Sequence, residues 1–135
     1  MPVRLSPDQA RYPFFSPDGK QIVCQIREAG ARWRVAILSA SDGGIQRQFP
    51  QLPITSVVRW SPDGSALDYV DVQNGVSNLW RQSLSGGPAQ QLTHLGEDNI
   101  IYFAWSRDGT KLAYVRGRAE SDVVLFQRAA RHTWR

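Results

Sequence analysis

Cysteine and histidine are scarce in this sequence, which has one cysteine, Cys24, and two histidines, His94 and His132. A single cysteine cannot form an intrachain disulfide, and these three residues are too few and too far apart for a zinc site. The sequence also lacks the H-E-x-x-H, C-x-x-C, EF-hand, G-x-S-x-G, P-loop and dinucleotide-binding patterns. We therefore expect a protein that is not an enzyme, without catalytic residues, metal or cofactor, in which Cys24 is a small buried apolar residue.

Long apolar runs and a strong charge imbalance are also missing. No apolar run approaches the roughly 18 residues that suggest a membrane span, and the first 15 residues lack the basic and apolar segments of a signal peptide. The net charge is +4, but only the end of the chain, RAARHTWR, is locally basic. Nucleic-acid binding needs a basic stripe with stacking aromatic side chains. We therefore expect no membrane span and no nucleic-acid partner, and the compartment stays unknown.

A short motif is present three times: FSPDG at 15–19, WSPDG at 60–64 and WSRDG at 105–109, each copy 45 positions after the one before. The 135 residues therefore divide into the repeat units 1–45, 46–90 and 91–135, and a period of this length indicates a repeat architecture. Proline, aspartate and glycine in this order are typical of a tight turn. The turn residues are Ser16, Pro17, Asp18, Gly19, Ser61, Pro62, Asp63, Gly64, Ser106, Asp108 and Gly109.

Each unit contains short β-branched and aromatic segments between turn signals, which are typical of strands. In the second unit they are TSVVRW (55–60), ALDYVDV (66–72), VSNLWRQSL (76–84) and PAQQLTH (88–94). The first unit has YPFF, QIVCQI, RWRVAIL and IQRQF, and the third has IIYFAW, KLAYVRG and SDVVLFQ. No apolar pattern of helical period is long enough to compete. We therefore predict four antiparallel strands per unit and no helices.

Four short strands per period of about 45 residues are the signature of a β-propeller blade. The sequence thus predicts an all-β protein with three blades, at approximately 12–50, 56–94 and 100–135, that form a single propeller module over 1–135. An aromatic residue precedes every turn, and we interpret these residues as wedges between adjacent blades. They are Phe15, Trp60 and Trp105.

The motifs FSPDGKQIVC, WSPDGSALDYV and WSRDGTKLAYV, with NLWRQSLSGGPAQQLT between them, resemble the WD-like propeller repeats of the TolB-like family over nearly the whole chain. The resemblance implies a non-catalytic scaffold for protein binding or sensing, with a partner in the bacterial periplasm if it extends to location. Similar repeats occur in prolyl-oligopeptidase-type enzymes. One alternative is therefore the substrate-gating propeller of such a hydrolase without its catalytic domain, and another is an excised or engineered fragment of a longer propeller.

Three blades are too few for a closed ring, since closed propellers have about four to eight. An open array would leave two apolar end faces in water, and such faces promote association. We therefore predict a homodimer that completes a six-bladed ring, as in the six-bladed TolB propeller. Residues 2–5 align with the fourth strands of the units, so we further predict that they supply the fourth strand of blade 3 in the other copy.

A binding site for an unknown protein partner is expected at one mouth of the central channel. In propellers, the loops between blades and between second and third strands meet there, and in this sequence they carry several charged residues. The candidates are Arg11, Arg32, Glu97, Asp98 and Arg118, with Arg27 in the same loops.

Overall fold

The computed structural model describes residue 4, residues 9–54 and residues 57–118, and in this part of the chain the regular secondary structure is all β. The strands are β1 (Gln9–Phe15), β2 (Gln21–Arg27), β3 (Arg34–Ser39), β4 (Ile45–Phe49), β5 (Val58–Trp60), β6 (Ala66–Gln73), β7 (Val76–Ser83), β8 (Gln90–Gln91), β9 (Asn99–Trp105) and β10 (Leu112–Gly117). Within these ranges, no helix is long and apolar enough to cross a membrane.

The strands form three antiparallel sheets in chain order. Sheet 1 contains β1 to β4, sheet 2 contains β5 to β8, and sheet 3 contains β9 and β10. Within each sheet, every strand pairs with its neighbour in sequence, because the turns between strands bring consecutive segments side by side. The strand expected at 121–127, the tail with His132, and residues 2, 3 and 5 of the predicted exchanged segment lie outside the described residues.

Several strands have other bounds than the sequence prediction, and β1 and β8 are two clear cases. Strand β1 begins at Gln9 instead of Tyr12, and its pairing with β2 is interrupted by a bulge between Arg11 and Phe14. Strand β8 is only Gln90–Gln91 instead of 88–94. Pro88 has no N–H for a hydrogen bond to the neighbouring strand, and Gly87 before it has φ of 84°. Strand β8 therefore begins only at Gln90.

The hydrophobic core lies between successive sheets. One cluster joins sheet 1, through Val35 and Phe49, to sheet 2, through Trp60 and Leu67. A second cluster joins Val70 and Leu79 of sheet 2 to Ile100 and Phe103 of sheet 3. Burial of one large apolar side chain contributes about 1.5–3 kcal/mol, so these two interfaces hold the three sheets face to face.

The outer face of sheet 1 corrects one expectation. Cys24, Ile26, Ala36 and Leu38 point away from sheet 2, and each is at most 3% exposed. The prediction that both end faces lie in water is therefore wrong for sheet 1, because these side chains are already buried in the single chain. Their burial removes apolar surface from water and so stabilises the fold. The burial of Cys24 confirms that it is an interior residue.

Sheet 3 exposes more apolar surface. Ile101 of β9 is 67% exposed, and Val115 of β10 is 55% exposed. Tyr102 and Tyr114 are also largely exposed. Apolar surface that a monomer leaves in water is available for contact with another molecule.

Candidate functional site: the inner strands and their turns

The three repeated turns have the same hydrogen-bond pattern. In the second turn, the Ser61 hydroxyl donates to Asp63 Oδ1 at 2.7 Å and accepts from the amide of Ala66 at 3.0 Å, while the Gly64 amide donates to the Ser61 carbonyl at 2.9 Å. The first and third turns repeat these bonds around Ser16 and Ser106. Serine, aspartate and glycine therefore recur because each has a fixed function in closing the hairpin.

Successive turns also touch one another. A Cβ atom added to Gly64 would lie 3.4 Å from Cδ of Pro17, and one added to Gly109 would lie only 2.6 Å from Cβ of Pro62. The glycine of each later turn thus receives the proline of the turn before it. Two features therefore require glycine at position 109: the close approach of Pro62 and the φ of 71°.

The aromatic residues before the turns lie at the borders between sheets. Trp60 is 7% exposed, and its indole N–H donates to the carbonyl of Phe14 in sheet 1 at 3.0 Å. The indole N–H of Trp105 donates to Asp68 of sheet 2 at 2.8 Å. Phe15, in the first unit, is 66% exposed. Its role as a wedge between blades stays a prediction.

Asp68 is a fully buried carboxylate at the border of sheets 2 and 3. Its two oxygens accept from Arg81 Nε at 2.7 Å and from Arg81 Nη2 at 2.8 Å, and Trp105 donates the third bond. The hydrogen bond to Asp68 raises the pKa of Arg81. The sequence analysis missed this site, although an aspartate in the middle of an apolar strand is a signal that a buried partner must be present.

We call the first strands of the three sheets, β1, β5 and β9, the inner strands. Arg59 lies among aromatic rings on these strands. Its guanidinium carbon is 4.2 Å from the ring centroid of Phe14 and 4.8 Å from that of Tyr102. Nη2 donates to the Tyr102 hydroxyl, while Nε is buried without a hydrogen-bond partner among the described residues. Stacking on aromatic faces is a favourable environment for arginine. Arg59 thus joins the first strands of all three sheets.

Arg11 occupies a second cation–aromatic arrangement near the start of β1. Its guanidinium carbon is 4.2 Å from the Trp33 ring centroid, and Nε donates to Gln25 Oε1 at 2.8 Å. The next residue, Tyr12, has φ of 54°, which is uncommon for a residue with a side chain. Pro13 follows, and the β-bulge here redirects the side chains of β1.

These inner strands border an open cleft of about 510 Å³, which we call the funnel. It is lined by Arg11, Tyr12, Ile54, Val57, Ile100, Ile101 and Tyr102. A separate cleft of about 310 Å³ is bordered by the repeated turns, with Arg59, Trp60, Trp105 and Arg107 among its lining residues. Two positive side chains and several apolar or aromatic side chains therefore lie along the inner strands.

Of the five charged residues predicted for the channel mouth, only Arg11 lines the funnel. Arg118 forms ion pairs of 2.9 Å with Glu97 and with Asp98, and Arg116 lies 4.0 Å from Asp98, so the positive and negative charges here balance. Arg32 is exposed. Arg59 and Tyr102 were not among the predicted site residues, although both occur in segments that the sequence predicts to be strands. Within the described ranges, no group of three or more His, Cys, Asp or Glu residues could hold a metal ion.

Four-stranded antiparallel sheets that pack face to face in chain order are typical of the blades of a β-propeller domain. Residues 4–135 match the TolB beta propeller domain family, and the chain therefore belongs to this family.

Solved TolB structures show the same fold. TolB from Acinetobacter baumannii is 25% identical to this chain, with a TM-score of 0.64, over 82% of this chain and 27% of its own length. Putative TolB from Agrobacterium tumefaciens is 25% identical, with a TM-score of 0.58, over 74% of this chain and 35% of its own length. The chain thus spans about a third or less of these proteins. No protein of curated function matches it.

Proposed function

We propose that this chain is a non-catalytic propeller scaffold that binds an acidic segment of another protein in the funnel. The observation that carries the proposal is Arg11, which lines the funnel and is held against the Trp33 ring. Arg59 borders the neighbouring cleft and stacks on Tyr102, which lines the funnel. A side chain already fixed by its neighbours loses little freedom when a ligand binds. The membership of the TolB beta propeller domain family supports a scaffold role.

The surface around these arginines favours a protein ligand. Arginine and aromatic side chains are enriched in protein interfaces and contribute most of the binding energy there. Tyr12 is 49% exposed and Ile101 is 67% exposed, so apolar contacts are available beside the positive charges. The funnel is wide and open, which suits an extended peptide segment that places a carboxylate near Arg11 and an apolar side chain against Ile101.

A peptide library displayed on phage tests the proposal. We expect selection on the wild-type chain to enrich acidic peptides with an apolar or aromatic residue, because these complement the funnel. Ile101→Glu should weaken the selected peptides at least tenfold, since it adds a negative charge to the lining of the funnel. Val115→Glu is the matched control, because Val115 is an exposed aliphatic residue of the same sheet that does not line the funnel.

Circular dichroism and urea unfolding should show that both variants remain folded. Peptides that bind the two variants equally would place the ligand outside the funnel. Enrichment of basic peptides would contradict the proposed chemistry of the ligand. Either result would leave the family assignment unchanged and overturn the proposed site.

We further propose that two copies of the chain complete a six-bladed ring, with three blades each. Phe15 supports this proposal, because it is 66% exposed while its repeat equivalents Trp60 and Trp105 each bond to the preceding sheet. A sheet of a second copy would give Phe15 the same kind of neighbour. It would have to replace the covering that buries Cys24, Ile26, Ala36 and Leu38 on the outer face of sheet 1 in the single chain. Light scattering on a dilution series should then give about twice the chain mass of 15.2 kDa; a constant mass of one chain would overturn the ring.

A further inference from the structure

The first and third turns each carry a cation where the second turn has an uncharged residue. Arg107 occupies the position of Pro17 and Pro62, and Lys20 occupies the position of Ser65 and Thr110. Between the turns of one chain the contact is uncharged, because a proline packs on a glycine. The two ends of the row of turns therefore differ in charge from its interior.

Lys20 leaves Asp18 with one donor fewer than the equivalent aspartates. Asp63 Oδ1 accepts from the Ser65 hydroxyl at 2.7 Å in addition to the Ser61 hydroxyl and the Ser65 amide. Asp108 is bound in the same way, with the Thr110 hydroxyl at 2.8 Å. Among the residues that the structure describes, Asp18 accepts only from the Ser16 hydroxyl and the Lys20 amide. Its carboxylate therefore has capacity for one more donor.

Gly19 is the open end of the same row. A Cβ atom added to Gly19 would meet no other atom within 4 Å, whereas Gly64 and Gly109 are approached by the prolines of the preceding turns. Arg107, at the opposite end of the row, is exposed. One end thus lacks a preceding turn, and the other end presents a cation in place of the proline.

We propose that Arg107 of one copy packs over Gly19 of a second copy and donates to the carboxylate of Asp18 there. This junction rests on the proposed two-copy ring, and it is the charged counterpart of the proline–glycine contact inside the chain. An exposed ion pair contributes little affinity by itself. It sets which turns meet and in which register, while Phe15 supplies apolar contact.

Charge reversal tests the junction. Two copies that close a ring make the contact twice, so Arg107→Glu should weaken self-association roughly tenfold by light scattering. The wild-type association should weaken as salt is raised, and the variant should lose much of this dependence. Lys111→Glu is the matched control, since it changes an exposed charge by the same amount four positions away. Circular dichroism should show both variants folded.

A cross-linking experiment tests the geometry. Arg107→Lys keeps the charge and allows a carbodiimide to couple the amine to a carboxylate in contact with it. In a mixture of ¹⁵N-labelled and unlabelled chains, the cross-link from position 107 to Asp18 should join one peptide of each label. The native Lys111 serves as the internal comparison and should give no such product with Asp18.

The outcomes separate the junction from the ring. A dimer with mixed-label cross-links and a weakened Arg107→Glu variant supports the junction. A dimer in which Arg107→Glu and Lys111→Glu behave alike, without the mixed cross-link, overturns the junction and leaves the ring intact. A wild-type monomer overturns both.

Discussion

The contact between Pro62 and Gly109 predicts a large effect of a small substitution. In Gly109→Ala, the new Cβ would lie 2.6 Å from Cβ of Pro62, and the backbone would hold alanine at φ of 71°. The left-handed conformation costs about 1–2 kcal/mol, and overpacking costs about 1–3 kcal/mol. We therefore expect the free energy of unfolding to fall by about 2–5 kcal/mol, measured by urea unfolding.

Gly75→Ala is the control for this prediction. Gly75 has φ of 78°, but a Cβ there would meet no atom within 4 Å, so only the conformational cost of about 1–2 kcal/mol applies. The difference between the variants measures the contact between turns. Equal losses for Gly109→Ala and Gly75→Ala, at unchanged m-value, would refute the idea that the turns of units 2 and 3 are packed against each other.

Three further predictions concern the buried and titrating groups. Asp68→Ala should lower the free energy of unfolding by about 3 kcal/mol, the low end for a broken buried ion pair, because the Arg81 side chain is 29% exposed. The loss should be smaller in a Trp105→Phe background, and equal losses in the two backgrounds would refute the coupling through the indole. The pKa of Asp63 is lowered to about 2, chiefly by the hydrogen bond that the Ser65 amide donates to it. The pKa of Asp108 is also lowered to about 2, chiefly by the hydrogen bond from the Ser106 hydroxyl. Their stabilisation is therefore present above the unfolded pKa of about 3.9 and is lost as pH falls towards about 2; Asp108→Asn should flatten the acid limb of stability against pH, and an unchanged limb would contradict this. Burial raises the pKa of the Cys24 thiol to about 11, so a thiol reagent at pH 7 should react slowly with the native chain and rapidly in denaturant, and equal rates would show that the residue is accessible.

The repeat period and the turn chemistry allowed much of the fold to be predicted. Four strands in each of the first two units follow the predicted order, since proline and glycine mark the chain reversals between them. The family assignment also followed from these motifs. Local signals were sufficient here because each strand pairs with its neighbour in sequence.

The contacts between units could not be predicted in the same way. Asp68 and Trp105 are 37 positions apart, and no local pattern says that an indole will meet a carboxylate across a sheet border. The bulge at Tyr12 and the ring stack around Arg59 depend on the approach of three sheets. The strands were therefore predictable from local signals, whereas the contacts that their side chains make across the sheet borders were not.

The two tryptophan contacts make the order of the units matter. Trp60 bonds to a backbone carbonyl, which any preceding unit can supply, whereas Trp105 bonds to a side chain. The position of Asp68 is occupied by Val23 in the first unit and by Ala113 in the third. A duplication of the second unit would retain an acceptor for Trp105, but a gene rearrangement that placed the first unit directly before the third would bury an indole N–H against valine. The modules are alike in backbone and are not interchangeable in position.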